Sequence, residues 1–123
     1  MQKVLAASLF MMLALGIVVS VGRAQSSGAA KETKEIQMTA KKYEFSPSVV
    51  EVTAGTRIIF KITALDREHG FEIAGVKDSC VKIKKGETAT VEYLADKPGT
   101  VEFKCCVHCG LGHGRMKGKI VVH

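Results

Sequence analysis

Val101-Glu102-Phe103-Lys104-Cys105-Cys106-Val107-His108-Cys109-Gly110-Leu111-Gly112-His113-Gly114-Arg115-Met116 joins two unlike patterns. Up to Cys105 apolar and polar residues alternate, so Val101, Phe103 and Cys105 share one face of a strand. Beyond it the alternation stops, and Cys105, Cys109, His113 and Met116 fall within twelve residues. Two thiolates, an imidazole and a thioether are soft or borderline donors, a set that favours copper over hard cations. Far upstream, His69 opens the apolar run His69-Gly70-Phe71-Glu72-Ile73 and offers a second imidazole.

Outward from that stretch the chain reads as short strands separated by turns. Ile36 and Met38 alternate with polar neighbours, and Val49, Val50 and Val52 form a strand closed by Ala54-Gly55. Thr56 to Ala64 is β-branched and apolar, Phe71 and Ile73 continue after the Asp66 to Gly70 corner, and Val81 and Ile83 alternate up to Lys85-Gly86. Thr88 to Leu94 precede the Pro98-Gly99 turn, and Ile120 and Val122 alternate in the last strand. Short strands punctuated by turn signals, with no long helical period, predict an all-β sandwich whose framework holds the ligands. The loop between the last two strands supplies most of them.

The 123 residues suit one domain. Met1-Gln2-Lys3 is a short basic start, Val4 to Val21 is an uncharged apolar run, and Gly22-Arg23-Ala24 ends in small residues. Residues 1–24 are therefore expected to be an export signal or, if uncleaved, a membrane anchor through residues 4–21, placing the remainder outside the cytoplasm, periplasmic in a bacterium. Residues 25–34 are small and polar and read as a flexible tether, with the folded domain over 35–123. Without Lys3 and Arg23, 16 basic residues face 12 acidic ones, a net charge of +4. The charge is dispersed and aromatics are few, so nucleic-acid binding gains no support. A solvated surface explains the charge. Four cysteines in an exported chain ordinarily suggest two disulfides, yet Cys105, Cys106 and Cys109 crowd into five positions. Metal use explains that crowding better, and leaves Cys80 and Cys106 over.

Phe45-Ser46-Pro47, the Gly55 turn, the run ending at Asp66, His69-Gly70-Phe71, Pro98-Gly99 and the Cys/His/Met loop together resemble the cupredoxin family, whose fold is a Greek-key β-sandwich. Within it, Cys105-x3-Cys109-x3-His113-x2-Met116 resembles the binuclear copper A domain of cytochrome oxidase subunit II and nitrous oxide reductase, over residues 35 to 123. One-copper cupredoxins carry a single ligating cysteine in this loop. The resemblance implies two copper ions bridged by Cys105 and Cys109, with His69 completing one and His113 the other. It makes Met116 a weak axial ligand and the main-chain carbonyl of Val107 its counterpart. The implied function is an exported electron carrier, not an enzyme, exchanging electrons with a redox protein such as a cytochrome or a membrane oxidase or reductase. Three departures separate this chain from subunit II. Val107 stands where a magnesium-binding Glu is usual, Gly70-Phe71 replaces a Trp after the first His, and there is at most one membrane segment. The catalytic propeller of nitrous oxide reductase is also missing, so the domain reads as free-standing.

Against these readings stand plainer ones. A lone His at a strand start is more often structural, and Met116 is by default a core filler. Cys106 and His108 occupy loop positions that the family does not use for ligands, pointing away from Cys105 and Cys109 in extended backbone. Cys106 pairs with Cys80, competes as a thiolate, or is a small buried residue. His123 is a solvated end. Gly110, Gly112 and Gly114 are expected to permit a tight loop through positive φ. The competing functions are a periplasmic copper chaperone or store that uses Cys106 and His108 for exchange, a mononuclear cupredoxin, and a structural zinc site, for which Met is a poor ligand.

Overall fold

The computed structural model describes residues 30–123. The expected export or anchor segment, residues 1–24, and residues 25–29 of the tether lie outside the described residues. Within them, no helix is long and apolar enough to cross a membrane.

The first strand, β1, covers Glu32–Lys41, so Glu32, Thr33 and Lys34, which composition assigned to the tether, are paired with Thr56, Arg57 and Ile58. Pairing there needs only the backbone, and the side chains stay exposed. Next come β2 (Glu44–Ser46), β3 (Val49–Val52), β4 (Thr56–Ala64), β5 (His69–Ile73), β6 (Val81–Ile83), β7 (Thr88–Ala95), β8 (Gly99–Lys104) and β9 (Lys117–Val122). The period of two is written into burial: Thr56, Ile58, Phe60, Ile62 and Ala64 of β4 face inward, and the residues between them do not.

The strands form two sheets, ordered β2-β1-β4-β7 and β3-β9-β8-β5-β6. β1 runs parallel to β4 and β3 parallel to β9, while the other pairs are antiparallel. This is the expected cupredoxin-like β-sandwich. Two small elements were not legible in the alternation: the three-residue β2, and a 3-10 turn at His113–Arg115 inside the ligand loop.

Four phenylalanines join the two layers in the core. Phe45 and Phe60 come from one sheet, Phe71 and Phe103 from the other, and their ring centroids lie 5.2–6.1 Å apart. Phe45 meets Phe71 edge-on at 89°. Each buried ring contributes about 1.5–3 kcal/mol, with about 0.5–1.5 kcal/mol more per favourable aromatic pair. Because side chains alternate, burying Phe71 also turns His69 inward, and burying Phe103 turns Cys105 inward. The packing of the core thus aims two of the candidate ligands.

Candidate metal centre

β8 ends at Lys104, and the next residue, Cys105, begins the loop. The Cys105 amide donates to the Met116 carbonyl at 3.0 Å, closing the loop at its base before β9 starts. Cys105 Sγ lies 3.6 Å from Cys109 Sγ and 3.1 Å from the Val107 carbonyl oxygen. Cys109 Sγ lies 3.7 Å from His113 Nδ1 and 3.7 Å from Met116 Sδ. From the other direction β5 brings in His69, so that one donor atom each of His69, Cys105 and Cys109 falls within 4.8 Å of the others. All six sequence-predicted positions, His69, Cys105, Val107, Cys109, His113 and Met116, thus meet at one end of the sandwich. His69, Cys105, Cys109 and Met116 are buried, while His113 is half-buried at the rim.

His69 is fully buried, and only one of its ring nitrogens is satisfied. Nε2 lies 2.6 Å from Asp66 Oδ1. Burial pushes the Asp66 carboxyl up, but hydrogen bonds from His69 and from the Lys42 amide (2.9 Å, to Oδ2), with the pull of the His69 charge, outweigh it. Its pKa ends below the ordinary 3.8. An ionised carboxylate only accepts, so Nε2 donates to it, and Nδ1 is the ring nitrogen left for another partner. Nδ1 has no hydrogen-bond partner, a deficit that costs about 1–3 kcal/mol in a protein interior. An orphaned ring nitrogen on a buried histidine that clusters with two buried thiols fits a soft metal ion.

The loop is held by contacts that its own sequence does not announce. Arg67 Nη1 donates to the Cys109 carbonyl, and the Gly70 amide donates to Cys105 Sγ at 3.4 Å. The 3-10 turn is closed by the Arg115 amide on the Gly112 carbonyl (3.0 Å) and the Met116 amide on that of His113 (3.1 Å). The Tyr43 ring lies across the loop: a Cβ on Gly112 would come 2.1 Å from Tyr43 Cδ2, and one on Gly110 would come 2.6 Å from the Tyr43 hydroxyl. Of the three glycines expected to need positive φ, only Gly110 has it (+136°). Gly112 is there for space, and Gly114 meets nothing. Burial, and the hydrogen bond and charge of Cys105, push the Cys109 thiol up to about 11.

Cys106 does not join the donors: it is bonded to Cys80. His108 is exposed, its ring centroid 5.6 Å from that of His113. Sequence reasoning missed Tyr43, Asp66 and Arg67. Asp66 carried a weak signal, a carboxylate three residues before a ligand histidine. Tyr43 and Arg67 carried none, because their contacts depend on where distant turns come to rest.

A two-layer β-sandwich with a sulfur-rich loop between its last two strands, facing a histidine from an inner strand, defines a class of small metal-binding β domains. The chain belongs to the cupredoxin-like family, whose domain model matches residues 9–122. It is 39% identical over 87 residues to cytochrome c oxidase subunit 2 of Thermus thermophilus, a match covering 71% of this chain and 64% of that one. It is 26% identical over 104 residues to nitrous-oxide reductase of Ralstonia nicotianae, covering 80% of this chain but 16% of the reductase. This chain thus spans less than two thirds of each of these relatives. Among solved structures, a haem-copper terminal oxidase dimer matches with a TM-score of 0.64 at 26% identity, over 73% of this chain and 65% of that one. The periplasmic domain of cytochrome oxidase subunit II of Bradyrhizobium japonicum shares the fold, with a TM-score of 0.63 at 19% identity over 72% and 83% of the two chains.

Proposed function

We propose that this cupredoxin domain is a one-electron carrier whose site holds two copper ions and that works outside the cytoplasm, residues 1–24 serving as export signal or anchor. In this reading Cys105, Cys109, His69 and His113 would hold the copper, with Met116 Sδ and the Val107 carbonyl as weaker donors. The observation that carries it is the cluster of buried His69, Cys105 and Cys109, in which His69 Nδ1 has no hydrogen-bond partner. Bound copper supplies reversible uptake and release of one electron.

The chain's own part is to keep that exchange free of rearrangement. Asp66 fixes the His69 ring and its tautomer. The Gly70 amide donates to one sulfur, and Arg67 pins the loop at Cys109. The buried thiols and Met116 exclude water, and half-buried His113, beside exposed His108, is the route to a partner. The partner is a redox protein such as a cytochrome or a membrane oxidase or reductase, in line with the oxidase subunits that the chain resembles. The delivery alternative relied on Cys106 and His108 as spare ligands, and the bond of Cys106 to Cys80 removes the thiolate of that pair.

The test is to load residues 25–123 with copper and record the EPR and visible spectra of the oxidised form. Hyperfine structure from one electron shared over two copper nuclei is the expected result. Splitting from a single nucleus would mean a mononuclear site and a new role for Cys105. A colourless, EPR-silent sample would end the carrier reading.

A further inference from the structure

The Cys80–Cys106 bond is a cross-link between the two halves of the site. Cys80 lies immediately before β6, which pairs with β5 in the register His69↔Ile83, Gly70↔Lys82, Phe71↔Val81. It therefore belongs to the strand pair that carries His69. Cys106 lies between Cys105 and Val107, two of the positions assigned to the metal, and its Cα is 5.9 Å from that of Cys80. The cross-link also presses against β5: a Cβ on Gly70 would come 2.6 Å from Cys106 Sγ and 2.9 Å from the Val107 amide nitrogen. At that point strand and loop touch backbone to backbone, beside the Gly70 amide that donates to Cys105 Sγ.

We propose that the Cys80–Cys106 disulfide is a positioning brace for the metal centre: it fixes the ligand loop to the strand pair carrying His69 and withholds the Cys106 sulfur from the donor set. The proposal rests on the copper reading above. A site that changes oxidation state must keep its donors in place, and the disulfide adds a covalent tie to the β5–β8 pairing and the Gly70 and Arg67 hydrogen bonds that already join strand and loop. Oxidised to a disulfide, Cys106 has no thiolate to offer, so the soft donors facing the metal are limited to Cys105, Cys109 and Met116.

The test compares the full chain, exported by a bacterial host and recovered from its periplasmic and membrane fractions, with three variants. Cys80→Ser frees the Cys106 thiol, Cys80→Ser with Cys106→Ser removes both sulfurs, and Gly70→Ala keeps the disulfide but forces it off β5. Copper release to a strong chelator should be about tenfold faster or more in all three, the scale seen when supports of metal ligands are lost. Cys80→Ser should also show an altered copper spectrum from the extra thiolate, and the double serine variant should not. A general loss of stability would not separate these two. In the metal-free proteins, amide exchange at Cys105 to Gly110 should speed up by at least about tenfold in the serine variants, with the β1 and β4 amides unchanged. Wild-type spectra, release within twofold and unchanged loop protection would overturn the brace. If the wild type itself gave no two-copper signal, the two-copper reading would fall, and loop exchange in the metal-free proteins would still decide the brace.

Discussion

Replacing Asp66 tests whether the metal centre is set up by a residue that does not touch the metal. The Asp66 carboxylate accepts from buried His69 Nε2 at 2.6 Å and from the Lys42 amide at 2.9 Å. Asp66→Asn keeps an acceptor of the same shape but removes the charge. A charge-assisted bond is roughly twice as strong as a neutral one, so the fold should lose about 1 kcal/mol. Asp66→Ala leaves the buried N–H unsatisfied as well, which raises the loss to about 1–3 kcal/mol. Copper affinity should fall about 10–100-fold, or about 1.4–2.7 kcal/mol, because the ring loses its orientation and the basicity that the carboxylate gives it. The acid limb supplies a further check. A carboxyl held below 3.8 contributes stability that is complete above that pH and is lost as pH falls through its lowered value. Metal-free wild type should therefore lose stability on this limb and Asp66→Asn should lack that component. Urea denaturation of the metal-free proteins and chelator competition for copper measure the two effects. Wild-type copper affinity and spectrum in Asp66→Asn would refute the argument that the carboxylate orients His69.

Three other perturbations have expected outcomes. Gly112→Ala places a methyl 2.1 Å from Tyr43 Cδ2, so the ring or the loop must shift, costing about 1–3 kcal/mol in thermal or urea unfolding. Met116→Leu conserves volume at a buried site and should cost under about 1.5 kcal/mol in the metal-free protein, while changing the reduction potential and spectrum of the copper-loaded form. The Cys109 thiol, raised to about 11, stays protonated at neutral pH, so metal binding releases its proton and affinity should rise roughly tenfold per pH unit for that proton below about 11. The same shift gives metal-free stability that is complete below 9.0 and declines as pH rises through about 11, measurable by urea denaturation across that range.

The sequence by itself determined the class of fold and most of the candidate donors. Alternation in Thr56 to Ala64 specifies a buried face because side chains on a strand change sides at every residue, and that rule needs no tertiary information. The spacing Cys105, Cys109, His113, Met116 is local chemistry on one loop, legible for the same reason. Only the tertiary structure decided what stands behind these ligands. Asp66 reaches His69 through the shape of the corner before β5, and Tyr43 reaches Gly112 because the turn between β1 and β2 lies over the loop. Cys80 finds Cys106 across 26 residues because β6 pairs with β5. Such contacts depend on sheet order and on where turns come to rest, which follow from burying the whole apolar surface at once. The sequence names the candidate donors, and the packed sandwich determines what holds them still.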